Sequence, residues 1–205
     1  MAKAEKLDLY KKHKADYAAG RRPALVTVGQ GQYLAISGEG APGGEAFTAA
    51  IGVLYGAAFT LKMASKSAGR DYKVCPLEAL WWADDDSADL ARVPRDAWRW
   101  KLLIRTPSFI GPDDLDSARR ALLTKGKGPE VTRVELEALE EGPCVQMLHV
   151  GPYAEEARTI EAMSSFARDR GLFLHGRHHE VYLSDPRRVP PERLRTILRH
   201  PVRPA

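Results

Sequence analysis

Cysteine is scarce in this sequence, with only Cys75 and Cys144 among 205 residues. The two form no Cys-x-x-Cys pair, so at most one disulfide could form and no zinc framework is spelled out. The segment after Met1 lacks the apolar core of a signal peptide, and we expect no apolar run long enough to span a bilayer. These absences predict a soluble, cytoplasmic protein that does not associate with a membrane.

Motifs for cofactor or metal chemistry are also missing. The glycine-rich segment 38–44 precedes a helix, but its spacing fits neither common phosphate-binding motif and no Lys-Ser/Thr follows. The absence of Gly-x-Ser-x-Gly argues against a serine hydrolase. Four histidines could be considered as metal ligands, but adjacent strand residues point to opposite faces and the cysteines are distant. These are His149, His175, His178 and His179. We therefore expect no cofactor and no metal.

The charge of the chain is only mildly unbalanced. The formal net charge is +4 and the isoelectric point about 9.1, which is too weak a bias to predict a nucleic-acid partner. Much of the excess lies near the two ends, where runs of lysine and arginine are typical of solvated faces. A length of 205 residues allows one large domain or two small ones with a sizeable core.

The hydrophobic pattern predicts a mixed series of helices and strands. The predicted helices are 5–19, 45–64, 113–125 and 155–170. The predicted strands are 23–28, 32–37, 72–83, 98–105, 131–139, 144–150, 173–184 and 196–202. An acidic turn, 84–86, follows the third strand. The alternation of helices and strands predicts an α+β protein.

The order of elements recurs when 36–38 is aligned with 149–151. Each half then contains a strand, a break, a strand, a glycine-containing turn, a long helix and two more strands. We predict two strand-helix-strand-strand repeats, at about 23–110 and 131–205, within a single domain that spans 1–205. Their pseudo-twofold arrangement would give one curved antiparallel sheet, with helices on one face and a ligand groove on the concave face.

One segment near the C-terminus, 177–188, is the strongest candidate for a site. Strand alternation places Glu180 and Tyr182 on one face and Val181 and Leu183 on the other. A helix-covered face favours apolar residues, so we expect Val181 and Leu183 to face the helices. Glu180 and Tyr182 would then lie on the open face, together with Trp82 or Trp100. An aromatic-lined concave surface with few polar groups is the usual form of a small-molecule site.

The sequence resembles the GyrI-like (gyrase-inhibitor-like) small-molecule-binding proteins in their stand-alone form. Four segments, spread over most of the chain, carry the resemblance: 33–40, 76–82, 146–153 and 179–188. The resemblance implies a ligand groove along the pseudo-twofold axis. It also implies similarity to hydrolases that add water to the strained ring of cyclopropanoid genotoxins. Other members of the wider family bind bulky, often cationic aromatic drugs, so an aromatic small molecule is the expected partner.

The resemblance further implies which residues form the site. Glu180 and Tyr182 would be its polar pair, with Glu180 as the base that activates water and Tyr182 or Tyr153 as a donor to the developing phenolate. The aromatic wall would come from Trp81, Trp82, Tyr55 and Tyr153. Leu80 occupies the position that Tyr182 has in the second half, so the two halves are not equivalent and one working side is favoured.

Each of these residues also has a less specific interpretation. Glu180 could be a structural anchor, or an anion that attracts cationic drugs without chemistry. Glu78 is more typical of a structural role, although it could contribute to ligand binding. Trp81 and Trp82 must point to opposite faces, and counting by two from Glu78 favours Trp82 for the open face. Trp100 is more typical of the core. A contact with gyrase, suggested by the family name, has no surface that the sequence locates.

Overall fold

The computed structural model describes residues 6–83 and 90–204, so the predicted acidic turn at 84–86 lies outside the described residues. The helices of this part are α1 (Leu9–Lys12), α2 (Glu45–Ser67), α3 (Pro112–Thr124) and α4 (Glu156–Arg168). The strands are β1 (Ala24–Val28), β2 (Gly31–Glu39), β3 (Leu77–Trp82), β4 (Arg99–Arg105), β5 (Glu135–Leu139), β6 (Gly142–Val150), β7 (Leu172–Leu174), β8 (His178–Tyr182) and β9 (Arg195–Pro204). The α+β prediction is confirmed.

The strands form one antiparallel sheet in the order β1-β6-β9-β8-β3-β4-β2-β5, and β7 pairs with the end of β9. The predicted strand-helix-strand-strand order is present twice, as β2-α2-β3-β4 and as β6-α4-β8-β9. The two units meet where β3 pairs with β8. The single strand predicted for 173–184 is two strands, because Gly176 between them has a φ of +70°, which ends the extended run.

The ladder between β1 and β6 and the ladder between β2 and β5 share one register. In β1, Val28 lies opposite Gly142, and in β2, Gly31 lies opposite Leu139. Segments 24–39 and 135–150 therefore pair with each other over 24–35 and 135–146 in a constant register and separate at 36–39 and 147–150. This pairing ties the two edges of the sheet together at one end.

The two long helices cover the same face of the sheet. The inward residues of α2, among them Leu54 and Leu61, pack in one cluster with residues of β2, β3 and β4, whereas Met163 and Ala167 of α4 pack with Val145 of β6 and residues of β9. The helix α2 lies over β2 and β4, and α4 over β6 and β9, which leaves β3 and β8 between them.

The composition of α2 corrects one expectation. The helix Glu45–Ser67 is long and apolar enough to cross a bilayer by length and composition, with a mean hydropathy of 1.4. Its buried residues, including Phe47, Leu54 and Leu61, form the largest core cluster of the described chain. About a third of the apolar window, 33%, is buried, so packing against the sheet accounts for the buried stripe of the helix and leaves Phe59 and Met63 exposed.

The opposite face of the sheet is covered as well, by the N-terminal segment. Tyr17 packs in a cluster with Leu148, Val181 and Ile197, and Leu183 is partly buried against the same cluster. Val181 and Leu183 therefore face away from α2 and α4, and the prediction that they face the helices is wrong. Because both faces are covered, apolar residues on a strand do not identify the helix-bearing face.

A buried polar network holds the N-terminal segment against this second face. Tyr17 donates a hydrogen bond from Oη to Glu78 Oε1 over 2.8 Å. The ring of His179 lies 3.1 Å from Glu78 Oε2 through Nε2 and 2.9 Å from Glu141 Oε2 through Nδ1. Arg199 donates to the same Glu141 oxygen over 3.0 Å. Two carboxylates and two cations therefore neutralise each other where there is no solvent.

The electrostatics of this network agree with its geometry. Burial alone would lower the pKa of His179, but the adjacent carboxylate of Glu141 and the bond to Glu78 raise it to about 9. Burial would raise the pKa of Glu141, but His179 and Arg199 hold it at about 2. Both ring nitrogens of His179 face carboxylates, so the doubly protonated ring can donate to both.

Replacing His179 with Gln should lower the free energy of unfolding by about 3–5 kcal/mol, because two buried carboxylates lose their shared cation. The raised pKa means that this contribution is complete below pH 6.5 and is lost as the pH rises through about 9. Urea unfolding at about pH 5.5 and about pH 9.5 should therefore show a smaller difference from wild type at the higher pH. His175→Gln, outside the network, is the control; an equal difference at both pH values would contradict the assignment.

The close approach of β2 to Trp100 gives a second prediction. A Cβ atom at Gly38 would lie 2.3 Å from the Trp100 ring, so Gly38→Ala should lower the free energy of unfolding by about 1–3 kcal/mol through overpacking. Gly52 in α2 has no atom within 4 Å of its position for a Cβ, and Gly52→Ala should raise it by about 0.5–1 kcal/mol. Urea unfolding of the two variants checks both signs, and stability of Gly38→Ala equal to wild type would be contrary to this packing.

Candidate functional site

The structure places Glu180 on the helix-bearing face, at the centre of the sheet. Ala79 on β3 and Leu198 on β9 lie directly opposite it, and both belong to clusters that pack against the helices. Its side chain is only 12% exposed. The expectation that Glu180 faces away from the helices is wrong. The strand β8 that carries it lies between the strands under α2 and those under α4.

Two tyrosines lie beside this carboxylate. Tyr182 shares the face of Glu180, and its ring meets that of Tyr153 edge to face, with 6.0 Å between the ring centres. Tyr153 precedes α4 and is 39% exposed. Tyr182 is half-buried and packs against the core beneath α2. The pair therefore connects the two halves of the molecule and leaves one ring accessible from solvent.

A histidine fixes the turn that carries Tyr153. The Nε2 of His149 lies 3.1 Å from the carbonyl oxygen of Pro152, to which it can donate. Its Nδ1 is then an acceptor, 2.9 Å from the hydroxyl of Thr159. The φ of Gly151, +142°, allows the chain to turn between these contacts. The start of α4 is thus held against the sheet.

The same turn carries a second buried acid, Glu156, the first residue of α4. It is 8% exposed, and its Oε1 is buried without a hydrogen-bond partner. Burial and then the charge of Glu180 raise its pKa far above the usual value. The N-terminus of a helix favours a carboxylate by about 0.3–1 kcal/mol, which is small beside the burial of an unpaired charge. The setting of Glu156 therefore favours the protonated acid.

The two acids raise the pKa values of both tyrosines. Burial and then Glu180 raise the pKa of Tyr182 well above its usual value, and Glu156 adds to the effect. The pKa of Tyr153 is raised to about 12 by burial, followed by Glu180 and Glu156. The two tyrosines therefore stay protonated and can act as hydrogen-bond donors. Because Glu156 and Glu180 each raise the pKa of both tyrosines, we treat the four side chains as one group. We call it the Glu180 cluster: Tyr153, Glu156, Glu180 and Tyr182.

Two histidines border the cluster on β8 and β9. The Nε2 of His178 lies 3.5 Å from Glu180 Oε1 and has no hydrogen-bond partner. The ring of His200 is 5.9 Å from that of His178. Burial and then His178 lower the pKa of His200 to about 4, so it is neutral near pH 7.

The tryptophans are distributed differently from the prediction. Trp81 lies opposite His178 and so shares the face of Glu180; it is 2% exposed and stacks on Phe47. Trp82 lies on the other face, with the Arg177 guanidinium 3.9 Å from its ring centre. The prediction placed Trp82 beside Glu180 because it aligned Glu78 with Glu180. The actual register pairs Ala79 with Glu180.

The remaining predicted residues lie outside the Glu180 cluster. Trp100 is 1% exposed and meets Phe47 edge to face beneath α2, so it is a core residue. Glu78 belongs to the buried network on the opposite face. Tyr55, on α2, is half-buried, and its pKa is raised by burial and then by Asp185, which follows β8. Tyr55 thus lies on the side of β8 that α2 occupies.

Sequence reasoning missed Glu156, although its signal was present. The inward residues of α4 include Met163 and Ala167, and stepping back from Met163 by seven residues reaches Glu156 on the same face. An acid on the apolar stripe of a helix is unusual enough to be noted as a candidate.

Comparison with known proteins identifies a family whose domain matches this chain. Residues 23–203 match the GyrI-like small molecule binding domain. An uncharacterised conserved protein from Listeria innocua has 38% identity and a TM-score of 0.89, covering 97% of this chain and 100% of its own. A hydrolase from Listeria innocua, with the same identity and coverage, has a TM-score of 0.85.

A more distant structure shares the fold alone. The EcmrR C-terminal domain has a TM-score of 0.59 at 12% identity, covering 90% of this chain and 98% of its own. The comparison with curated proteins finds no match. The family match covers most of the chain and agrees with the relatives that align over nearly its whole length. The chain therefore belongs to the GyrI-like small-molecule-binding domain family.

Proposed function

We propose that this protein binds bulky planar aromatic compounds at the Glu180 cluster and adds water to the strained ring of cyclopropanoid genotoxins. Glu180 is the proposed base and Tyr182 the proposed hydrogen-bond donor. The observation that carries the proposal is the setting of Glu180: a mostly buried carboxylate beside two protonated tyrosines, on the strand between those under α2 and those under α4. The full-length similarity to a Listeria protein described as a hydrolase supports water as the co-substrate.

The proposed chemistry assigns a task to each side chain. An aromatic ligand would stack on Tyr153, whose ring is the exposed member of the pair. Glu180 would hold a water molecule against the ring carbon and accept its proton. Tyr182 would donate a hydrogen bond to the oxygen where charge develops, and its raised pKa keeps that proton in place in the absence of ligand.

A second candidate, binding without turnover, is favoured by the charge of the site. A carboxylate beside aromatic rings attracts an aromatic cation through its charge and through the faces of the rings. Such a protein would sequester cationic drugs. Both candidates require the same cluster, and only the first requires a chemical step. We place either activity in the cytoplasm, where Cys75 and Cys144, both free and buried, would stay reduced.

Hydrolysis is tested by incubating the protein with a cyclopropanoid and measuring the ring-opened product by mass spectrometry. Wild type should form the product, and Glu180→Gln should reduce its rate by about 10²–10⁴-fold, because an amide cannot accept the proton of water. Glu161→Gln is the matched control, since Glu161 on α4 is 74% exposed, and it should keep the wild-type rate. No product from wild type, or undiminished product from Glu180→Gln, would remove this function.

Binding is tested by the quenching of tryptophan fluorescence with an aromatic ligand. Trp81 shares the face of Glu180 and Trp82 does not, so Trp81→Phe should lose most of the ligand-dependent quenching. Trp82→Phe should keep it, because contact quenching requires the ligand to lie on the same face as the tryptophan. Circular dichroism would verify that each variant is folded. The reverse pattern would place the ligand on the opposite face.

A further inference from the structure

We propose that a cavity on the face opposite the Glu180 cluster is a second ligand site, which binds a small amphiphilic anion. Such a ligand has an aromatic or aliphatic body and one oxyanion head, for example a carboxylate or a sulfonate. The site goes beyond the proposed function, because it shares no residue with the Glu180 cluster and selects a ligand of the opposite charge.

The cavity lies at the edge of the apolar cluster that Tyr17 forms on the second face of the sheet. Its volume is about 480 Å³, within the range of about 300–1,000 Å³ that is usual for small-molecule sites. Six residues line it: Arg21, Leu148, Val150, Glu192, Arg193 and Arg195. Leu148 belongs to the Tyr17 cluster and Val150 is partly buried against it, so the cavity opens away from α2 and α4.

The floor of the cavity is apolar. Leu148 and Val150 alternate with His149 along β6 and therefore share a face. Arg195 on β9 lies directly opposite Val150, so it borders the floor on that face. The methylene stems of the arginines extend the apolar surface, while their guanidiniums reach toward solvent. A ligand body that covers this floor removes apolar surface from water, which favours binding.

The rim of the cavity carries unbalanced positive charge. Three arginines face one acid, Glu192. Within the described residues, the guanidiniums of Arg21, Arg193 and Arg195 form no ion pair or hydrogen bond, and Glu192 pairs with none of them. Three like charges around one concave surface repel each other, and the apolar floor strengthens their field. A bound oxyanion would relieve this repulsion.

The backbone fixes the positions of these arginines before a ligand binds. The amide of Leu148 donates a hydrogen bond to the carbonyl oxygen of Gly20 over 2.8 Å, next to Arg21. The amide of Arg195 donates to Ser184 Oγ over 3.1 Å. The third arginine lies two residues before Arg195, in a one-turn 3₁₀ helix. Binding therefore has to order side chains only, which lowers its entropic cost.

Arginine is suited to an oxyanion head. Its planar guanidinium donates two parallel N–H bonds to one carboxylate or sulfonate, and it stays charged at every pH at which proteins are folded. The pH dependence of binding should therefore follow the protonation of the ligand head. A cavity bounded by six residues matches a small molecule, whereas a membrane surface or a nucleic acid would contact a wider basic patch.

The place of binding is tested with 8-anilinonaphthalene-1-sulfonate, which has an aromatic body and one sulfonate. Methyl NMR of the full chain, with carbon-13 in leucine and valine, reports where the dye lies. The methyl signals of Leu148 and Val150 should shift on titration, and those of Val145 and Leu198, which pack against α4, should not. An absence of binding, or shifts confined to Val145 and Leu198, would overturn the site.

The role of charge is tested by the affinity of variants for the same dye, measured from its fluorescence. Arg193→Gln and Arg195→Gln should each weaken binding by about 3–10-fold, because one charge-assisted bond to the sulfonate is lost. Glu192→Gln should strengthen binding by about 2–5-fold, because the opposing charge is removed. Arg22→Gln is the matched control, since Arg22 is exposed and does not line the cavity. Equal affinities in all four variants, or weaker binding by Glu192→Gln, would contradict the proposal.

The source of the anion is distinguished with two further probes. Decanoate, a free amphiphile with a carboxylate head, should displace the dye from wild type, and failure to do so would exclude this class of ligand. Vesicles of phosphatidylglycerol and phosphatidylcholine should not sediment the protein. Sedimentation with these vesicles and no binding of dye or decanoate would assign the arginines to a membrane surface and overturn the proposal.

Discussion

The pairing of β3 with β8 is the constraint on which the rest of the structure depends. It joins the two strand-helix-strand-strand units, and its register decides which acids face which side. Ala79 lies opposite Glu180, so Glu180 shares the helix-bearing face with Trp81. Glu78 and His179 lie on the other face. A slip of one residue in this ladder would exchange the two environments.

Buried acids on the two faces of this ladder have different surroundings. On one face, His179 and Arg199 neutralise Glu78 and Glu141, and Tyr17 completes the bonding. On the other face, burial and Glu180 raise the pKa of Glu156, and its Oε1 is buried without a hydrogen-bond partner. A paired acid contributes to stability and has little capacity for chemistry. An acid left without a partner raises the energy of the folded chain and is available to a ligand.

Much of the architecture follows from patterns that are local in sequence. Helical spacing predicted α2, α3 and α4 within a few residues, and the recurrence of elements predicted the paired units. The alternation in 178–182 correctly grouped Glu180 with Tyr182. These inferences succeed because side-chain periodicity depends on the backbone alone.

The failures concern relations between segments. The face of the sheet that Val181 and Trp82 occupy depends on register and on Tyr17, which is distant in sequence. The inclusion of Glu156 in the site could not be predicted, because it depends on how α4 is placed relative to β8 in the tertiary structure. Strand alternation divides the residues of a strand into two faces but does not show which face carries the helices. Only the tertiary structure could therefore assign Glu180 to the helix-bearing face.

The strands β1 and β5, which precede the two units in sequence, each pair with the other unit, and this affects how the molecule can be divided. The strand β1 precedes one unit in sequence but pairs with β6 of the other, and β5 in turn pairs with β2. Each unit thus completes its partner's edge, as swapped arms do in a domain-swapped dimer. A cut in the connection between the units would therefore yield two fragments that each have one strand paired along the edge of the other.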